Sequence, residues 1–310
     1  KYTGFEVGGT SSIQQCWDLV HAYEETGTPC MILENCCYGQ YELAVLNMIR
    51  KGLFGEIIHV EGSYQHDLRG LAEKIHEGYQ RSLHHMKRNA DLYPTHEIGP
   101  LAKYLNINRG NRFLTLTSTA SKSRGLDLRA AKSYGEHSPI WHRHALGDVV
   151  TTVIKCAGGE TVTIVHDTSL PRPYTRNNTV HGTKGIWMEI NHSMYFEPES
   201  FTTEEEANEI VEHIWENADP YLEKYRHPIW DRFLNDGVTG GHGGMDYLVL
   251  RAFLYSIQHR IGLPIDVYDS ATWMSITCLT EESIAKGSMP VYVPDFTNGA
   301  WVCREPMPES

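Results

Sequence analysis

The first 33 residues constrain this chain most, because they alternate strand, helix and strand. Residues 5–7 and 30–33 are short apolar runs, and residues 11–25 between them place apolar side chains at 13, 16, 17, 19 and 20, the spacing of one helical face. Two strands joined by a helix call for a parallel pair, since a parallel connection needs a crossover of about a dozen residues. Thr10 or Ser11 offers an N-cap hydroxyl, and Gly27 sits where a left-handed residue would end the helix, so both boundaries have a chemical cause.

Beyond this unit the pattern changes. Residues 40–51 carry Leu43, Val45, Leu46 and Ile49 on one helical side and stop at Gly52. Residues 56–67 alternate with period two, which puts Ile58, Val60, Tyr64 and His66 on one face of a strand and makes Tyr64 and His66 point together. A helix is expected over 96–105, with Pro100 in its first turn because an interior proline lacks the N–H that the ladder needs. Residues 113–119 and 148–168 read as antiparallel strands, with Gly158-Gly159 as the hairpin turn between Val150 and Val165. Thr203-x-x-Glu206 has the form of a capping box opening a helix to about Glu216, and further helices are expected over 244–261 and 270–286. The fold class is therefore α/β: the remnant of a Rossmann-type dinucleotide-binding domain over 1–38, then over 39–310 an α+β substrate domain with a large mixed or antiparallel sheet backed by helices.

Charge and composition narrow the partners. With 41% hydrophobic and 21% charged residues the chain lies in the globular range, and 27 Lys and Arg against 39 Asp and Glu leave a net charge of -12. That field repels phosphate backbones and anionic lipid, so neither nucleic acid nor a membrane is an expected partner. Apolar stretches such as 149–154 fall far short of the ~20 residues that span a bilayer. The first residues show no secretion signal, an upstream leader stays open, and the 7 cysteines are odd in number and set in apolar patterns, as in a reducing cytoplasm. No Cys-x-x-Cys and no His-Glu-x-x-His occurs, so no metal site is expected.

The phosphate-binding fingerprint Gly-x-Gly-x-x-Gly follows none of the strands. The glycines at 240, 241, 243 and 244 precede a helix with different spacing. They suit a flexible helix start or, equally, a close backbone approach to a ligand at a helix N-terminus.

Five motifs, in order along the chain, carry a resemblance. These are Leu33-Glu34-Asn35, Tyr64-Gln65-His66-Asp67-Leu68-Arg69, Tyr93-Pro94-Thr95-His96, the run from Asp167 through Tyr174, and Gly240-Gly241-His242-Gly243-Gly244-Met245-Asp246-Tyr247. Together the chain resembles the NAD-dependent α-N-acetylgalactosaminidase family of glycoside hydrolases, within the glucose-fructose oxidoreductase and inositol dehydrogenase superfamily. The resemblance implies that the chain starts near the end of the cofactor domain. It also sets Glu6-Val7 where related dehydrogenases carry Glu-Lys-Pro, whose lysine moves a substrate proton. Val7 and Gly8 cannot do so, which argues against a simple sugar dehydrogenase.

The implied chemistry is a retaining release of terminal α-linked N-acetylgalactosamine or a related hexoside. NAD takes a hydride from C3 of the sugar, the ketone acidifies C2, elimination expels the leaving group, water adds, and the hydride returns. By the same resemblance Tyr93 and His96 are catalytic. Tyr64, Arg81, Tyr93, Pro94, Thr95, His96 and Tyr174 contact substrate, and Glu6, Val7, Asn35 and Tyr93 contact NAD. Three residues apart at a helix start, Tyr93 and His96 can face one pocket. The residues alone would favour Tyr93 as a packing group and His96 as a cap, and the aromatics as core. His242 and Asp246, one turn apart, either line the pocket or cap a helix. Two other readings stand beside the glycosidase: a sugar oxidoreductase of the same superfamily, and a non-enzymatic sugar-binding fragment. Relatives pair through the open sheet of the substrate domain, so a homo-oligomer using strands 148–168 is expected by analogy.

Overall fold

The computed structural model describes residues 1–6, 8–72, 80–136, 144–197, 214–237 and 240–309. At the start, β1 (Thr3–Phe5) and β2 (Cys30–Ile32) pair in parallel, Thr3 opposite Cys30 and Phe5 opposite Ile32. The helix between them, Ile13–Thr26, ends on Gly27 at φ 62, where a side chain would be strained. Its N-cap is Ser12, whose hydroxyl accepts from the Gln15 amide, and not Thr10 or Ser11. Thr10 instead turns its hydroxyl onto the Met274 carbonyl at 3.3 Å, and the Ser11 amide donates to the Gln15 side chain at 2.8 Å. β1 stops at Phe5, short of the expected strand over 5–7, and Val7 lies outside the described residues.

The rest is built on a nine-stranded sheet in the order β10-β9-β8-β7-β3-β6-β5-β4-β11. Its centre is β3 (Ile57–Gln65), parallel to β6 (Thr161–Asp167) and antiparallel to β7 (Thr179–Gly182). β5 (Val150–Cys156) forms the expected hairpin with β6, its turn closed by Gly159 at φ 106. β4 (Phe113–Ala120) and β11 (Val291–Tyr292) finish one side; β8 (Gly185–Met188), β9 (Ser193–Phe196) and β10 (Glu216–Asn217) finish the other. The capping box at 203–206 lies outside the described residues, but Glu216 belongs to a strand paired with Met194, so a helix does not reach it.

Period two holds along β3 only from Val60. A register shift between Ile57 and His59 turns Ile58 to solvent at 51% exposure, while Val60 and Tyr64 are buried. The helix Thr95–Tyr104 packs on β3 with Pro100 as its sixth residue, not in its first turn. The lost donor is the one the His96 carbonyl would accept; the helix start is held instead by the Glu97 and Ile98 amides, both donating to the Pro94 carbonyl. The helix expected over 270–286 begins earlier, at Val267, because Asp266 and Asp269 form a reciprocal capping box. That helix packs on both Ile13–Thr26 and β4, so Met31, Val60 and Trp273 belong to one continuous core joining the two sheets.

Candidate functional site

β1 and β2 run the same way, so their C-terminal ends open together. Beside them come the end of β3, the start of Thr95–Tyr104 and the glycine loop before the helix Met245–His259. They enclose a cleft of about 420 Å³ lined by Glu6, Leu33, Asn35, Tyr64, Arg81, Tyr93, His96, His242, Asp246, Val249 and Leu250. Residues drawn from five distant parts of the sequence meet there.

Tyr64 is the floor. Its ring lies 4.9 Å from that of Tyr93, 5.4 Å from His96, 6.1 Å from His66 and 6.2 Å from Tyr174. The Arg81 guanidinium stands 4.5 Å over the Tyr93 ring, a cation–π contact that places positive charge at the cleft wall. The backbone amide of Tyr93 donates to the buried Asp91 carboxylate at 3.1 Å, which fixes the turn carrying it. Burial pushes the Tyr93 phenol well above its usual range despite Arg81, so at neutral pH it is a hydrogen-bond donor. Pro94 and Thr95 are buried behind this wall and do not line the cleft; Pro94 is the N-cap residue of the helix. Tyr174 stands at the rim, 45% exposed and 5.1 Å from the His66 ring, its hydroxyl accepting from Arg176, which is itself paired with Glu42.

The group that sequence reasoning passed over is Glu34. Its Oε1 meets His96 Nδ1 at 2.6 Å and accepts from the Cys36 amide at 3.0 Å, with the side chain 0% exposed. Burial alone would raise this carboxyl, but the His96 imidazole and the Cys36 amide outweigh it and hold the group below its usual range. A carboxylate directly after the apolar run 30–33, at the end of a strand, was the available signal. Asn35 donates to Asp246 Oδ1 at 2.7 Å, and the other Asp246 oxygen meets His242 Nδ1 at 2.8 Å. His242 sits at φ 49, between glycines, and Gly243 and Gly244 follow at φ 68 and 105. The loop is thus a strained turn that aims an imidazole into the cleft.

Glu34, Cys36 and His96 bring three potential ligand atoms within 4.8 Å of one another. The 2.6 Å contact between Glu34 and His96 already joins two of them as a hydrogen-bonded pair, and burial pushes the Cys36 thiol far up, away from the thiolate a metal would need. Glu6 and Asn35 follow two parallel strands at the position where α/β sheets bind ligands, with amide and carboxylate groups on the cleft wall.

A helix-backed mixed sheet, joined to a parallel strand pair whose ends open on the cleft, is a fold shared with solved inositol and levoglucosan dehydrogenases. A levoglucosan dehydrogenase solved with NADH and L-sorbose superposes with a TM-score of 0.64 over 96% of this chain and 75% of its own, at 18% identity. An inositol dehydrogenase homolog from Azotobacter vinelandii, solved with NAD+, does so at 0.59 over 91% and 69%, at 15% identity. Residues 38–303 match the family described as glycosyl hydrolase 109, C-terminal domain, and an α-N-acetylgalactosaminidase from Tannerella forsythia is 43% identical over 98% of this chain and 67% of its own length. The chain belongs to glycoside hydrolase family 109, an enzyme family, and spans about two thirds of that relative's length.

Proposed function

We propose that the protein is a retaining glycosidase that releases terminal α-linked N-acetylgalactosamine by an NAD-dependent cycle of oxidation, elimination, addition and reduction. The observation that carries this is the cleft itself: Glu6 and Asn35 at parallel strand ends share it with Tyr64, Arg81, Tyr93 and His96. A nicotinamide held by Glu6 and Asn35 would supply reversible hydride acceptance from a sugar carbon. Residues 1–38 are then the last part of its binding domain.

The protein groups divide the proton work. His96, its Nδ1 tied to Glu34, presents Nε2 as the base for the C2 proton, and the neutral Tyr93 phenol donates a hydrogen bond to the oxygen on C3. Arg81 and Tyr64 hold the ring between cation and aromatic face. His242 exchanges a proton with the departing group, because its side chain is 70% exposed where that of His96 is 14%. Assembly of two copies through the open face of the sheet fits the exposed Val153 and Tyr292, 47% and 84% exposed on the side opposite the helices. The seven free thiols, five of them buried, suit a reducing compartment such as the cytoplasm.

The test is to denature the purified protein, assay the released nicotinamide nucleotide, and follow cleavage of aryl α-N-acetylgalactosaminide and α-galactoside. Bound nucleotide and cleavage of the first substrate without net NADH are expected. Cleavage of the galactoside alone overturns the specificity, and NADH rising with each turnover makes the protein an oxidoreductase.

A further inference from the structure

We infer that Glu34 is a positioning residue for the reaction: its buried carboxylate fixes the tautomer and orientation of His96, so that Nε2 faces the cleft as a base. This rests on the function proposed above for His96 and adds the group behind it.

The geometry is specific. The 2.6 Å contact to Nδ1 crosses 62 residues of sequence, from the end of β2 to the first turn of Thr95–Tyr104. The helix makes room for it: a Cβ at Gly99, one turn beyond His96, would lie 3.1 Å from Glu34 Cγ and 3.0 Å from Cys37 Sγ. A carboxylate with 0% exposure is costly, and stability alone would be served as well by an apolar residue of the same volume. Its Oε1 takes both the His96 ring and the Cys36 amide, and the Thr95 side chain also favours its charged form.

An imidazole whose Nδ1–H donates to a carboxylate must accept through Nε2, and the carboxylate favours the imidazolium once Nε2 has taken its proton. The proton moves from the sugar to Nε2; Glu34 stays ionised throughout. The titratable groups around the pair are the Cys36 and Cys37 thiols from the turn after β2, the Tyr64 and Tyr93 phenols 5.4 and 4.8 Å from the His96 ring with Arg81 over Tyr93, and Asp246 with its partner His242 across Asn35. Both thiols are pushed up by burial and stay neutral, which leaves Glu34 as the charge nearest His96.

Glu34→Gln keeps the shape and removes the charge. On the full-length protein we expect kcat to fall about 10²-fold with KM nearly unchanged, because the base is no longer held in one tautomer. A readout independent of catalysis is the 15N spectrum of histidine-labelled protein, with His96 assigned by its disappearance in His96→Ala. The wild type should show Nδ1–H, and Glu34→Gln a mixture of tautomers. Should Glu34→Gln fail to fold, Glu34→Asp keeps the charge but shortens the reach, and loss of the 2.6 Å contact should again give a mixture of tautomers and a lower kcat. An unchanged tautomer and an unchanged kcat, with only a loss of thermal stability, overturn the inference and leave Glu34 as a cap for Cys36. The spectrum needs no substrate, so a wrong sugar assignment would leave this result standing.

Discussion

Two imidazole–carboxylate pairs face one cleft and differ mainly in what surrounds them. His96 meets Glu34 at 2.6 Å on a packed helix over a fully buried carboxylate; His242 meets Asp246 at 2.8 Å on a glycine loop with both side chains in contact with solvent. In low dielectric the first pair is held in one geometry, because losing either partner strands a buried group. In water the second is worth under about 1 kcal/mol to stability and is free to exchange protons. The same chemical pair is thus locked in packed surroundings in one place and open to solvent in the other.

The largest expected effect breaks the first pair's output. Tyr93→Phe or His96→Ala should lower turnover by about 10³-fold while nucleotide release on denaturation stays stoichiometric. Normal turnover in both variants would remove them from the chemistry. His242→Ala should cost about 10²-fold in kcat, most severely for substrates with poor leaving groups, with the melting temperature unmoved. An equal loss for activated and unactivated substrates would count against a leaving-group role.

A third variant tests the loop rather than the ring. At Gly244, φ is 105 and a Cβ would stand 2.6 Å from Phe233 Cζ, so Gly244→Ala should destabilise by about 1–3 kcal/mol and misdirect His242. Gly243→Ala, at φ 68 with open space around it, should cost less, about 1 kcal/mol. Urea unfolding of the two decides whether strain or crowding dominates: equal losses would leave the Phe233 contact without effect.

The last effect concerns acid. Burial lowers His85 to about 3 from its ordinary 6.5, so between those values the unfolded chain binds a proton that the native one refuses. Stability therefore falls as pH drops through that window. Glu34, held low in the fold, adds to the same trend: its contribution is full above the unfolded carboxylate pKa and is lost as pH falls through the native one. Chemical denaturation at pH 7, 5 and 4 should show the midpoint dropping, and His85→Gln should flatten the upper part of the slope. A slope unchanged in that variant would assign the acid loss elsewhere.

Much of the backbone was legible locally. The Ile13–Thr26 helix follows from its apolar face and Gly27, the β5–β6 hairpin from Gly158-Gly159, and the shared side of Tyr64 and His66 from period two, all set by neighbours a few residues apart. The family was legible too, because five motifs keep their order. The exact caps were not, since Ser12, Ser11 and Thr10 have similar hydroxyls and only the docking of Thr10 on Met274 chooses among them. Pro100 misled for a related reason: packing against β3 tolerates the missing bond in mid-helix, a compensation that no local rule contains. Ile58 reaches solvent because a register shift against β7 resets the alternation.

By itself the sequence determined the family, because residue type and order are what motifs record. Only the tertiary structure decided that Glu34 lies behind His96, that Pro94 and Thr95 lie behind the wall, and that His242 stands in water. Distance across 62 positions and the dielectric around a charge are properties of packing, and they exist once the chain has closed on itself.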